Sequence, residues 1–290
     1  MATRAQMKRF IFFALLPAVA IYSVFVIVPI FWSAYYGFFD WKGIGTATYN
    51  GTANYIEVLR DPIFWLALKN NMIIVLASIG GQVPIALLLA LILWKNTFFY
   101  KFVRSAVFMP MVLASVVIGI MWGYIYHPEI GLINYILQQI GLSSWIQDWL
   151  GDPSINMYSV SMPIIWANIG PYLIMFIAAI QNIPSEVEDA ARIDGAVGAK
   201  RLYLVVIPMI WNMIKVAIVL CISGSLKAFD LIYVMTGGGP AQSTELLATY
   251  MYNNTFNIYR YGYGSAVSTL IIIISLILVL TSQVVMKRKD

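Results

Sequence analysis

Reactive side chains are scarce in this chain, and those present do not assemble into a catalytic set. The 290 residues hold one cysteine, Cys221, and one histidine, His127. A single cysteine excludes a disulfide within the chain, and no CxxC or Cys/His spacing suggests a metal centre. No G-x-x-x-x-G-K-[ST] run supplies the phosphate cradle and magnesium ligand of a P-loop ATPase. No cluster of carboxylates, thiols or imidazoles is placed to work as nucleophile and base. Two kinds of polar group remain. One is scattered: Gln82, Asn168, Tyr172, Ser225, Lys227 and Asp230 offer amides, hydroxyls and charges suited to a hydroxyl-rich solute. Lys227 and Asp230 stand one helical turn apart, the spacing of an ion pair. For these two, a solute path and a local pair near an interface are both open, as interhelical bonding is for the amides. The other kind is contiguous: residues 183–201, IPSEVEDAARIDGAVGAKR, carry Glu186, Glu188, Asp189, Arg192, Asp194, Lys200 and Arg201.

The elements that must position these groups are membrane helices. The chain is 61% hydrophobic and 11% charged, against about 45–50% and about 25% in soluble domains. A bilayer core of about 30 Å needs about 20 apolar residues in a helix, because lipid leaves no partner for an unpaired backbone group. Uncharged windows place spans at about 10–37, 71–94, 104–126, 157–181 and 264–286. A sixth, at about 207–229, is apolar apart from Lys215 and Lys227. Ala18-Val19-Ala20 resembles a signal-peptide cleavage site, but apolar sequence continues well past it, beyond an h-region of about 7–15 residues. The first window is therefore expected to remain as a helix. No stretch between the windows is long enough for a second core, so one all-α membrane domain over 1–290 is expected.

Six spans put both ends on one side. Twelve of the eighteen basic residues (Arg4, Lys8, Arg9, Lys95, Lys101, Arg104, Arg192, Lys200, Arg201, Lys287, Arg288 and Lys289) fall at the ends or in the second and fourth loops. Positive charge accumulates on the cytoplasmic side, so the net charge of +5 records topology rather than nucleic-acid binding. Both termini and residues 183–206 are expected in the cytoplasm of a prokaryotic cell with a multi-pass chain in its plasma or inner membrane. Tyr35, Tyr36, Trp41, Tyr124, Tyr126, Tyr259 and Tyr261 fit an interfacial belt at the outer ends. His127, beside Pro128 at an outer boundary, reads as a solvated interfacial residue.

Local chemistry divides the charged segment into two short helices. Ser185 and Glu188 have the spacing of a capping box, Pro184 stops the preceding span, and Gly195 suits a left-handed helix end. A second helix is expected from about Ala196 toward Val206. Ala190 and Ala191 leave a notch without bulk, flanked by charge. A helix lying on anionic lipid should be rich in Lys and Arg, yet the segment has four acidic and three basic residues. A plain solvated loop leaves the order of cap, alanine pair and glycine without a reason. A helix that docks on another protein accounts for both features.

The order Ile183-Pro184, Glu186, Asp189-Ala190-Ala191, Ile193-Asp194-Gly195-Ala196 and Ile207-Pro208, with twelve residues between Gly195 and Pro208, closely resembles the EAA loop of ABC importer permeases. Asp189 stands where that family usually has Glu, and Leu202 where it usually has Phe. Three further segments, NYIEVLRDPIFWLALKNNMII, WANIGPYLIMFIAAIQNIP and MTGGGPAQSTELLATYMYNNTFNIYRYGYGSAVS, look like the sugar-type branch, and the last is similar to the first of its two permeases.

The resemblance implies a type I importer permease fold. It places Glu186, Asp189, Ala190, Ala191, Arg192, Asp194, Gly195 and Ala196 on a coupling helix in a cleft of a cytoplasmic ATPase. It also implies a second homologous permease, two ATPase subunits, an extracellular or periplasmic solute-binding protein and carbohydrate uptake, most often of an oligosaccharide or a glycerol-phosphate-like compound. Gly237, Gly238, Gly239 and Pro240 form a tight outer turn that in the family can meet the binding protein or guide a sugar. No cofactor is expected on this chain, since ATP and Mg belong to the partner. Two other classes stay in view. An ion-coupled secondary transporter needs an intramembrane acidic or histidine relay, and a membrane-embedded enzyme needs a clustered reactive set; neither is evident in the sequence.

Overall fold

A computed structural model describes residues 4–94 and 97–287. Lys95, Arg288 and Lys289 of the basic set lie outside the described residues. Helix dominates, as it must where the backbone has only itself for hydrogen bonding. Four helical stretches are long and apolar enough to cross a bilayer: Phe12–Tyr36, Pro62–Leu93, Asn156–Gln181 and Tyr261–Val285. Two bent pairs of helices raise the number to six if each pair counts as one crossing. The fold is all-α.

The chain forms two compact bodies. The first comprises Met1–Asp61 with Met251–Ile273. Its long helix runs as α1 (Arg4–Tyr22), a π-helical turn over Ser23–Ile27, and α2 (Val28–Tyr36). A two-residue hairpin follows, β1 (Phe39–Asp40) against β2 (Thr48–Tyr49), and then α3 (Ala53–Arg60). The buried Asn54 ties α3 to this hairpin, its Nδ2 donating to Gly37 O at 3.0 Å and Phe39 O at 2.9 Å. The Arg260 guanidinium pairs with Glu57 at 2.7 Å and lies 4.2 Å from the centre of the Tyr263 ring.

The second body comprises Pro62–Tyr250 with Ile274–Asp290. Its helices are α4 (Pro62–Leu93), α5 (Phe98–Val112), α6 (Ser115–Ile125), α7 (Leu132–Gln139), α8 (Asn156–Gln181), α9 (Ser185–Ile193), α10 (Ala199–Arg201), α11 (Ile207–Met209), α12 (Trp211–Leu226) and α13 (Asp230–Met235). Next come α14 (Leu247–Tyr252), whose last turn passes into the first body, and α15 (Tyr261–Val285), whose second half belongs to the second. The core runs along α4, α8 and α12. Val83, Ala86, Ala90 and Leu93 meet Leu173, Phe176, Ile177 and Ile180, together with Ile210, Ile214, Ala217 and Cys221. Each set recurs at three- and four-residue steps, the single face expected of a packed helix. Residues on the other faces, such as Leu88 and Leu220, stay exposed, as suits lipid.

Two expectations change. The stretches expected as single spans at 104–126 and 207–229, each with a proline in it or at its edge that disfavours a straight helix, are broken outright: α5 and α6 meet at 99°, and the α10–α11 segment meets α12 at 70°. The first break follows Pro110 and is made by extended backbone at Leu113 and Ala114. Gly170 on α8 allows α5 to come close before it turns, since a Cβ there would meet Phe108 Cα at 2.7 Å. The second break falls at Ile210, two residues after Pro208. Proline within α8 is accommodated differently. Pro163 has no N–H for Ser159 O, and the Tyr126 hydroxyl donates to that carbonyl instead, at 3.0 Å.

Candidate functional site

The break between α5 and α6 and the non-helical step between α12 and α13 border one cavity of about 240 Å³ in the second body, and its lining includes Gln82, Asn168, Tyr172, Ser225, Lys227 and Asp230. All six scattered polar residues picked from the sequence therefore meet at one place. Irregular backbone at membrane depth is tolerated where it lines a cavity. Here it is the bend at Leu113 and the non-helical step between α12 and α13 that border the space.

The six residues do different work. Gln82 is buried and already engaged, its Nε2 donating to Ile164 O at 3.2 Å and its Oε1 accepting from Cys221 Sγ at 3.4 Å. Asn168 Nδ2 donates to Ile164 O at 2.8 Å, which leaves its carbonyl oxygen for other partners. Ser225 is buried, and its backbone carbonyl accepts from Asn71 Nδ2 at 3.0 Å. The ion-pair reading of Lys227 and Asp230 fails: the two side chains lie beyond salt-bridge distance and both are exposed. The helical spacing that would have paired them does not exist, because α12 ends at Leu226 and α13 starts at Asp230. Their charged ends are thus available in the cavity.

The glycine-rich loop after α13 is held by hydrogen bonds from several elements. Gly237 and Gly238 have φ of 58° and 92°, so the turn expected there is present. The Thr244 hydroxyl donates to Gly239 O at 2.9 Å. Asn70 Nδ2 donates to Ser243 O and Glu245 O, both at 2.9 Å, and Asn156 Nδ2 donates to Ser243 Oγ at 2.6 Å. Asn71 Oδ1 accepts from Leu247 N at 2.8 Å while its Nδ2 holds Ser225 O, so one side chain links α4, the cavity rim and the start of α14. Sequence reading passed over Asn70, Asn71 and Asn156. Two adjacent asparagines entering an apolar span were the available signal, since a buried amide must find partners. His127 accepts the amides of Glu129 and Ile130 at its Nδ1, at 3.3 and 3.4 Å, and so shapes a turn.

The charged segment carries α9. The proposed capping box is absent: Pro184 occupies the N-cap position, Ser185 is already helical, and no side chain caps the end. Glu188 is turned instead to the Arg201 guanidinium, with which it pairs. The C-terminus follows the expectation. Gly195 has φ +72°, its N–H bonds Arg192 O at 3.1 Å, and Ala196 N bonds Ala191 O at 2.8 Å. This is the doubly bonded Schellman ending, with Ala191 and Ala196 buried against each other's turn. Only Ala190 of the alanine pair is therefore exposed. The second helix starts at Ala199, after Gly198 at φ +57°, and passes into a π-helical turn over Leu202–Val206.

Charge and apolar bulk share the outer face of α9. Glu186, Asp189, Arg192 and Asp194 are exposed, and Asp189 lies 3.7 Å from Arg192 in a pair open to solvent. Ile193 is 87% exposed and Val197 64%, an unusual outlay of apolar surface beside so many charges and one that sequence reading did not single out. Behind this face the segment is anchored. The Arg201 guanidinium stands 5.7 Å from the centre of the Trp94 ring, and Gln181 Nε2 donates to Trp94 O at 2.9 Å. Arg201 thus ties α9 to the end of α4.

Comparison with known proteins follows the same lines. A probable ABC transporter permease protein, YurN of Bacillus subtilis (strain 168), is 37% identical over 267 residues, 91% of this chain and 91% of its own. The lactose transport system permease protein LacF of Rhizobium radiobacter is 32% identical over 266 residues, 90% of this chain and 89% of its own. The fold matches a chain from the crystal structure of a bacterial ABC transporter involved in import of the acidic polysaccharide alginate. That match has a TM-score of 0.82 at 22% identity and covers 98% of this chain and 97% of the other. The model of the binding-protein-dependent transport system inner membrane component family matches residues 82–289, which take in the cavity, the glycine-rich loop and α9. The chain belongs to that family.

Proposed function

We propose that this chain is the membrane-spanning permease subunit of an ATP-driven importer for a carbohydrate, and that it takes its energy through α9. The observation that carries the reading is the convergence of Asn168, Tyr172, Ser225, Lys227 and Asp230 on one cavity, with hydroxyl, amide, ammonium and carboxylate groups facing the same space. Such a mixture suits a solute with many hydroxyls. The lactose permease among the relatives supports a sugar, and the family's dependence on a binding protein supports delivery by a separate solute receptor. The hydrogen-bonded loop at Gly237, Gly238, Gly239 and Pro240 is the surface proposed to meet that receptor.

Coupling follows from mechanics. An ATPase that closes on α9 moves a segment braced to α4 through Arg201 and Trp94, and α9 follows directly on α8. From Ser185 to Tyr172 and Asn168 is 13 to 17 residues, or about 20–25 Å along a helix. Displacement of α8 at one end therefore reaches the cavity wall at the other. Rigid-body motion of this kind favours one cavity state over another only through contacts that differ between the states. In this account ATP and Mg sit on two copies of the partner ATPase, a second permease completes the path, and α9 and both termini face the cytoplasm of a prokaryotic cell. Family membership displaces the ion-coupled alternative.

The test is uptake of labelled sugars into vesicles that hold this chain with its sister permease and ATPase. Accumulation that requires internal ATP and the external binding protein is the expected result. Accumulation driven by a proton or sodium gradient without ATP would overturn the reading.

A further inference from the structure

At the far end of α12 from the cavity stands a cation that the proposed function does not use. Lys215 lies four residues into α12, inside an otherwise apolar run. It lines a groove of about 410 Å³ with Asn212, Val216, Leu220, Gln283 and Lys287. The two lysines come from different helices and meet no carboxylate: neither forms an ion pair with any described residue. Lys215 is also poorly placed with respect to its own helix, close to the N-terminal end where the macrodipole is positive. A second cation near it at the tail of α15 makes the site more positive still.

From this geometry we infer that the groove holds the headgroup phosphate of an anionic phospholipid. Charge complementarity selects the occupant: two ammonium groups and the carboxamides of Asn212 and Gln283 line the groove, donors suited to a phosphate. Val216 and Leu220, both about half exposed, continue from there along α12. They form an apolar track one helical turn apart, of the kind an acyl chain covers. Lys215 lies about 6 Å along α12 from its first residue, a depth that a flexible lysine stem spans to reach an interfacial phosphate. Basic pockets between membrane helices recognise anionic headgroups in this way. A soluble anion explains the lysines but not the apolar track that leads away from them.

The assembled transporter, stripped of endogenous lipid and titrated with phosphatidylglycerol or phosphatidylcholine, tests this by native mass spectrometry. The expected result is retention of phosphatidylglycerol at least tenfold tighter than phosphatidylcholine, falling about fivefold for each of Lys215→Gln and Lys287→Gln. Lys215→Arg should keep the preference, which separates loss of charge from loss of fold. Inorganic phosphate at 50 mM, as roughly the excess needed to compete by screening, should leave the lipid bound. Equal retention of the two lipids, an unchanged preference in the double Gln variant, or full displacement by free phosphate would each overturn the assignment. Transport activity is not the readout, so failure here is distinguishable from failure of the proposed import function.

Discussion

Replacing Arg201 with alanine should free α9 from the helix bundle without unfolding the membrane core. Two ion pairs on this segment look alike in sequence but not in structure. The Arg201 and Glu188 side chains are only 24% and 16% exposed, whereas those of Arg192 and Asp189 are 64% and 70% exposed. Removing one partner of a fully buried pair costs about 3–5 kcal/mol, since it strands a desolvated charge, while an exposed pair contributes about 0.2–1 kcal/mol. The Arg201 pair lies between these limits, and its stacking on Trp94 adds about 0.5–1 kcal/mol. Against this, Arg201 Nε is buried without a partner, which offsets part of the gain. A net loss of about 2 kcal/mol is expected for Arg201→Ala and under about 0.5 kcal/mol for Arg192→Ala. Hydrogen exchange of the amides between Ser185 and Val197, measured in the assembled transporter, reads this directly. A 2 kcal/mol loss corresponds to exchange roughly 30-fold faster if opening is local. Uptake should fall in parallel while cavity-lining amides in α8 keep their protection. Similar exchange in the two variants would refute the bracing role of Arg201.

Gly195 permits two separate tests. Because φ is +72° and nothing lies within 4 Å of a built Cβ, Gly195→Ala should cost about 1 kcal/mol through backbone conformation alone, visible as faster exchange in α9. Gly195→Trp should in addition abolish coupled ATP hydrolysis, with the membrane helices retained by circular dichroism. Asn71→Leu removes an acceptor from Leu247 N–H and a donor from Ser225 O, and a loss of about 2–4 kcal/mol is expected from two buried groups left unpaired, measured as a lower unfolding midpoint in detergent. Asp230→Asn should weaken sugar transport with a KM raised about 10-fold or more if its carboxylate accepts a sugar hydroxyl, and an unchanged KM would place Asp230 outside the path.

Much of this architecture is legible in the sequence because lipid is a strict solvent. A window of about 20 uncharged apolar residues has helix as its one economical form, and all six expected windows hold helix. Which windows break is a different matter. Pro110 and Pro208 flag a departure from straight helix in 104–126 and 207–229, but hydropathy does not place the breaks at Ala114 and Ile210, and the first also depends on what packs beside it, here α8 with its gap at Gly170. The same limit affects the charged segment. Gly195 announced its role because few residues tolerate positive φ. Glu188, by contrast, had two possible partners, and only the fold places Arg201 thirteen residues away within its reach. The cavity residues were recognised as polar groups in apolar surroundings, but their convergence depends on the bend at Leu113 and the non-helical step between α12 and α13, which hydropathy does not place.

The central claim is that α9 lies on the cytoplasmic side under an ATPase, and Ala190 offers the most direct test. It is exposed in the middle of α9, and the native Cys221 is buried at 2% exposure, so Ala190→Cys introduces a single accessible thiol. A membrane-impermeant maleimide should label it in inside-out vesicles of the permease pair, lose access once the ATPase is bound, and leave it untouched in intact cells. Labelling in intact cells, or undiminished labelling in the complete complex, would contradict the account.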